Sequence, residues 1–183
     1  MTLRTTLRAA TRQDHDRVDQ LGGAFDLTRS KDYQAFLQAH AAVLPGIEQA
    51  LDAAPAEHLP PAWPQRRRAP ALAADLAALG LASPPAASTV DLPDRATRLG
   101  ALYVLEGSRL GGAILRRRLA EAQPTAPDAY LAHGQGLSLW RSFVEWLDEK
   151  SLDASQTEAA VHGARQVFGA FETAFRDATT PAP

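Results

Sequence analysis

Residues 93 to 122 read as one continuous helix, which at about 1.5 Å per residue is long enough to cross an entire domain. A fold that contains it has a central strut on which shorter helices must pack. Within it lies Tyr103-Val104-Leu105-Glu106-Gly107-Ser108-Arg109-Leu110-Gly111-Gly112-Ala113-Ile114-Leu115, with three glycines where a helix favours alanine. Each glycine in a helix interior costs about 1 kcal/mol relative to alanine. Gly107 and Gly111 are four apart and share one face, with Ser108 and Gly112 at its edge. That face is nearly bare backbone, open to close approach by another helix or by a flat rigid ligand. Gly100, seven residues before Gly107, extends the small stripe. From this segment alone, helix packing and ligand approach both stand as readings.

The rest of the chain keeps helical spacing. Leu3, Leu7, Ala10, Val18 and Leu21 predict a first amphipathic helix over residues 3 to 20, closed by Gly22-Gly23. Ser30 reads as an N-cap for a second helix carrying Tyr33, Phe36, Leu37, His40, Val43 and Leu44 up to a break at Pro45-Gly46, and Ile47 to Ala53 reads as a third piece. Pro55 to Pro64 is a proline-rich connector, Leu72 to Gly80 a short helix with a glycine stop, and Ser83 to Pro93 a second loop. A turn at Asp128 to Leu131 precedes a helix near Leu137 to Asp148. The last helix, from about Ser155 to Arg176, places Ala159, Val167, Phe168, Phe171 and Phe175 toward a core. There are no period-two runs of β-branched residues and no internal repeat. The expectation is an all-α, single-domain helical bundle over residues 1 to 178, with a flexible tail at 179 to 183.

Composition removes several function classes. A chain of 183 residues, 45% hydrophobic, has the size for one globular domain with a substantial core, and its net charge of -2 gives no reason to expect a nucleic-acid partner. The absence of cysteine excludes disulfides, thiolate nucleophiles and cysteine-held metal or iron–sulfur sites, so a bound metal must be held by His, carboxylate or a cofactor. No apolar run reaches membrane-spanning length, and a cytoplasmic protein is expected. No Gly-rich dinucleotide fingerprint is present, which argues against a flavin or nicotinamide site of its own. A di-metal carboxylate oxygenase commonly uses repeated Glu-x-x-His spacing, and this chain has none.

Candidate chemistry sits in the first helix. Arg8 and His15 are seven apart, so on one continuous helix they lie within about 20° of each other and ~10 Å apart along the axis. Asp19, one turn after His15, can accept the imidazole Nδ1–H and leave Nε2 free for a metal. The plainer reading is a solvated histidine in a charge-dense helix. The Arg116-Arg117-Arg118 run suits either a carboxylate ligand, a docking patch or a solvated helix end. His40, His58, His133 and His162 have no convergent partner visible in the sequence, and the three late phenylalanines read as a core stripe.

Two blocks together change the reading. The pattern Leu-Arg-x-x-Thr-x-x-x-His-x-x-x-Asp over Leu7 to Asp19 and the later Tyr-Val-Leu-Glu-Gly-Ser-x-Leu-Gly-Gly resemble the bacterial haem oxygenases, most of all the branch that includes bacteriophytochrome-associated members. The likeness spans most of the chain. Leu99 to Leu115 is its most specific block, Leu7 to Asp19 the next, and the last helix a weak third. The resemblance implies a helical fold that sandwiches haem between a proximal helix and a kinked distal helix whose glycines lie against the porphyrin. His15 matches the proximal iron ligand, with Asp19 beside it, and Gly107, Ser108, Gly111 and Gly112 match the distal segment. Arg8 falls where the family can place a basic residue near the haem propionates, and Arg141 is a second candidate for that contact.

Haem is then both cofactor and substrate, cleaved to biliverdin, carbon monoxide and ferrous iron with electrons from an external reductase or ferredoxin. A biliverdin-accepting phytochrome is an implied partner. Ser108 stands where animal-type enzymes carry a distal aspartate, so proton delivery falls to its hydroxyl, to backbone carbonyls around Gly107 or to ordered water. The competing reading on the same fold is a non-catalytic haem or biliverdin carrier.

Overall fold

The computed structural model describes residues 2–85 and 90–179. Among these, ten α-helices run in chain order: α1 Leu3–Ala10, α2 Arg12–Gly22, α3 Ser30–Ala41, α4 Leu44–Asp52, α5 Trp63–Arg66, α6 Ala69–Ala78, α7 Arg95–Ala122, α8 Ala129–Ala132, α9 Leu139–Asp148 and α10 Ala154–Thr179. A single 3₁₀ turn, Ala56–His58, lies in the proline-rich connector, and the described residues contain no strand.

The two long helices α7 and α10 pack on each other and organise the rest. Their crossing is set by two glycines. A Cβ built on Gly100 would sit 1.8 Å from the Ala160 carbonyl oxygen, and one on Gly163 would sit 2.1 Å from that of Thr97. No side chain fits between these backbones, so Gly100 is a packing glycine. The start of α7 carries a capping box, with Thr97 N–H donating to Asp94 Oδ1 at 2.9 Å and Asp94 N–H donating to Thr97 Oγ1 at 3.4 Å. Leu99, Leu102, Leu7, Leu37, Leu44, Ile47, Leu72 and Phe143 are completely or almost completely buried in the core between the helices.

Two short helices are capped from elsewhere in the chain. Buried Glu48 of α4 accepts from Arg68 N–H at 2.7 Å and Ala69 N–H at 3.1 Å, holding the N-terminus of α6. Asp75 of α6 in turn accepts from Ala129 and Tyr130 N–H at 2.9 and 2.8 Å, holding α8. Each carboxylate satisfies donors left open at a helix start, which is why neither helix has a capping side chain of its own.

Several expected boundaries move. The first helix is two, because Thr11 leaves helical geometry at φ −111°, ψ 12° and its buried hydroxyl donates to the Leu7 carbonyl at 2.8 Å. Ser30 is the first helical residue instead of the cap, and its hydroxyl donates to Gln123 Oε1 at 2.7 Å. The break before α4 falls at residues 42 and 43, leaving Pro45 in the first helical turn where its missing N–H does no harm. In place of the turn expected at 128 to 131 stands the short helix α8, Ala129–Ala132, and Thr179 belongs to α10, its hydroxyl donating to the Phe175 carbonyl at 2.8 Å. The remainder of the expected tail, and residues 86 to 89 of the second loop, lie outside the described residues.

Candidate active site

A cavity of about 580 Å³ opens between α2 and the second half of α7, backed by Phe168, Phe171 and Phe175 of α10, Phe36 and His40 of α3, and Tyr130 of α8. Its size falls in the range of cofactor and ligand sites, and its wall is mainly apolar. Both flanking helices look incomplete. No residue of α2 is buried although Val18 and Leu21 sit on its inner side, and on α7 Leu110 and Ile114 remain 55% and 58% exposed at the cavity. An amphipathic helix buries its apolar face against something. Here both faces meet the cavity.

His15 stands on the α2 side, on the cavity lining and more than half exposed. Its Nδ1 lies 3.3 Å from Asp19 Oδ2, and its ring makes an edge contact with Phe168 at 6.0 Å between centroids. A carboxylate beside Nδ1 favours the proton on that nitrogen, which leaves the Nε2 lone pair available to a metal.

Across the cavity the glycines of α7 divide by role. A Cβ on Gly111 would meet no atom within 4 Å, one on Gly112 would lie 3.9 Å from the Leu131 carbonyl, and one on Gly107 would only touch Trp140 at 3.7 Å. The protein's own packing therefore gives no steric reason for these three, in contrast to Gly100. What they leave is a strip of bare helix facing His15, the cradle a flat macrocycle requires.

Below the strip runs a buried polar network that no spacing in the sequence announces. Glu106, 1% exposed, accepts from Arg66 Nη1 at 2.7 Å and from Arg109 Nε and Nη2 at 3.0 and 2.8 Å. Arg66 also donates to the Leu139 carbonyl and Ser142 Oγ, and Arg109 to the Arg66 carbonyl, so α5, α7 and α9 are tied together beside Gly107. Arg68 Nη2 donates to Ser108 Oγ at 2.9 Å and to the Leu105 carbonyl at 3.0 Å. Ser108 Oγ–H donates to that carbonyl at 2.8 Å, so its hydroxyl hydrogen is committed to the helix.

Two histidines without a sequence-visible partner also line this cavity. His40 Nδ1 lies 2.8 Å from the Phe36 carbonyl, which must accept, so the proton sits on Nδ1 and Nε2 is an acceptor. Burial pushes its pKa down to about 4. His133 Nδ1 receives Arg109 Nη1 at 3.2 Å, so its proton sits on Nε2, and burial together with the Arg109 charge lowers its pKa. The cavity thus holds two neutral imidazoles of opposite tautomer, one accepting and one donating.

Of the expected site residues, His15, Asp19, Gly107, Ser108, Gly111 and Gly112 come together on this lining. Arg8 and Arg141 do not. Arg8 is exposed on α1, before the break at Thr11, and its charge is felt by Tyr103, which lines the cavity. Arg141 is 81% exposed and pairs with Glu145 at 3.2 Å along its own helix. In the arginine run, Arg116 binds Asp128 at 2.7 Å and Arg117 faces Glu121 at 3.7 Å, whereas Arg118 lines the cavity without an ion pair among the described residues. The phenylalanine stripe serves both core and cavity wall. Arg68, His40 and His133 carry no local signal, because their partners are distant in the chain or depend on burial. Among the described residues, no group of three or more His, Asp or Glu is placed to hold a metal.

Comparison with known proteins points to one family. The family model described as heme oxygenase matches residues 1–177. The chain is 34% identical over 148 residues to a heme oxygenase of Xanthomonas campestris pv. campestris, covering 77% of this chain and 87% of that protein. It is 31% identical over 172 residues to heme oxygenase PigA of Pseudomonas aeruginosa, covering 90% and 87%. The fold matches the NO- and CO-bound heme oxygenase of Neisseria meningitidis with a TM-score of 0.82 at 24% identity over 97% of this chain and 92% of that one. It matches heme oxygenase from Leptospira interrogans with a TM-score of 0.78 at 20% identity over 97% and 100%. By the family match over nearly its whole length and by these relatives, the chain belongs to the heme oxygenase family.

Proposed function

We propose that the cavity seats haem between α2 and α7, with His15 Nε2 as the axial iron ligand, and that the protein cleaves haem oxidatively to biliverdin, carbon monoxide and ferrous iron. The observation that carries this reading is the pair of unfilled faces: bare backbone at Gly107, Gly111 and Gly112 opposite an Asp19-oriented imidazole. Bound haem supplies the iron that activates oxygen, while the shape and polarity of the pocket select activation over simple storage. The chain's own groups do the rest. Asp19 holds the His15 ring in one tautomer, and Phe168 supports its edge. Without side chains at the three glycines, α7 can lie closer to a flat ring than any other sequence allows.

Arg118, at the cavity and without an ion pair among the described residues, joins Arg8 and Arg141 as a candidate for the propionate contact. His133 Nε2–H and His40 Nε2 offer one donor and one acceptor for ordered water, and the buried Glu106 network fixes the helix that carries Ser108. Electrons come from a separate reductase or ferredoxin. A cytoplasmic setting fits, since no described helix is long and apolar enough to cross a membrane. Likeness to the phytochrome-associated branch makes a phytochrome a fitting acceptor of biliverdin.

The test is anaerobic haem titration, then aerobic turnover with an electron donor and chromatography of the product. Stoichiometric binding with a histidine-ligated spectrum, then biliverdin, is expected; in His15→Ala that spectrum and turnover both disappear. Haem that persists unchanged under reductant and oxygen points to a carrier instead. Full activity in His15→Ala removes His15 from the iron.

A further inference from the structure

We propose that Arg68 forms an anion-binding subsite inside the cavity, suited to a small monoanion of carboxylate or pseudohalide type. Arg68 is 6% exposed and lines the cavity, yet only its Nη2 is used, on the Leu105 carbonyl and Ser108 Oγ. Among the described residues its Nε and Nη1 make no hydrogen bond, and no carboxylate oxygen lies within 4.0 Å of the guanidinium. The nearby acids are committed elsewhere. Glu106 is saturated by Arg66 and Arg109, while Glu48 caps the backbone of Arg68 and Ala69. The Tyr130 ring, 5.4 Å from the guanidinium carbon, covers one face.

A guanidinium carries five N–H donors in a planar fork, and a buried one without a counter-ion is a strong site for a planar or linear anion. The local charge has the same sign. Glu106 is held between the Arg66 and Arg109 guanidinium groups, Glu48 is engaged by backbone N–H groups, and the Arg68 charge contributes, after burial, to the lowered pKa of both His40 and His133. The subsite is a property of the cavity itself and stands apart from the haem assignment.

The experiment titrates haem-free protein with formate and with azide at constant ionic strength, following the ring-proton NMR resonances of His40 and His133. For a three-heavy-atom ligand the dissociation constant should be on the order of 1 mM or weaker. Saturable shifts are expected with both anions and not with neutral formamide. Arg68→Gln should weaken formate at least tenfold, and Arg117→Gln, on the exposed side of α7, should leave it unchanged. Should Arg68→Gln fail to fold, Arg68→Lys, which keeps the charge and loses the fork, should bind formate severalfold more weakly. No saturable shift in the parent, equal shifts with formamide, or parent-like affinity in every folded Arg68 variant overturns the proposal. Repeating the titration on loaded protein separates the sources of the anion. Formate retained beside haem assigns the subsite to a free anion, and formate displaced by haem but not by haem dimethyl ester assigns it to the substrate's own carboxylates.

Discussion

His40 shows how much a single side chain's setting changes its chemistry. It sits among Phe36, Tyr130, Phe171 and Phe175, with centroid separations between 4.2 and 5.5 Å, and feels the charge of Arg68. Its folded pKa near 4 lies below the ordinary value of 6.5, so between those pH values the unfolded chain binds the extra proton and the folded one does not. Stability contributed by the neutral ring is present above pH 6.5 and is lost as pH falls toward 4, with a slope of up to about 1.4 kcal/mol per pH unit. In His40→Phe the acid limb of stability against pH should flatten. Denaturant unfolding of parent and variant between about pH 4.5 and 7 measures it, and identical slopes would show that His40 does not stay neutral. Phe36, one turn earlier on α3, is its local partner, and the rest of its setting depends on the rings of Tyr130, Phe171 and Phe175 from distant segments of the chain.

At the scale of one element, α7 contains two kinds of glycine on a stripe that looks uniform in sequence. Gly100 is pressed against the Ala160 carbonyl, whereas Gly111 has open space. Gly100→Ala should therefore destabilise the protein by about 1–3 kcal/mol, the usual cost of overpacking, or more where backbone must move. Gly111→Ala should stabilise the haem-free protein by up to about 1 kcal/mol through helix propensity alone and weaken haem binding. Chemical denaturation together with haem titration tests both halves. Equal destabilisation by the two substitutions would make both packing glycines. The extent of α7 was legible because helical continuity is a local property of the chain, and the roles of its glycines were not, because they depend on what stands opposite.

For the molecule as a whole, the bundle is complete on the side of the α7–α10 crossing and open where α2 faces residues 107 to 118. Haem binding should close this difference. At a thousandfold excess over its dissociation constant a ligand adds about 4 kcal/mol to stability, which for a chain of this size raises Tm by about 10 °C. Hydrogen exchange should slow in α2 and in 107 to 118 on loading and change little in 95 to 106. Uniform protection, or protection confined elsewhere, would place the ligand outside this cavity. The all-helical class, the long central helix, the glycine strip and the His15–Asp19 pair are determined by the sequence itself, because periodicity, caps and i, i+4 neighbours are local. Only the tertiary structure decided that Arg8 and Arg141 lie off the cavity, that Gly100 differs from Gly111, and that Arg68, His40 and His133 converge on one wall. His133 finds Arg109 at a separation of 24 residues and Arg68 finds Ser108 at 40, and no periodicity spans such distances. Packing around α7 and α10 brings them together, and burial there lowers the pKa of both histidines.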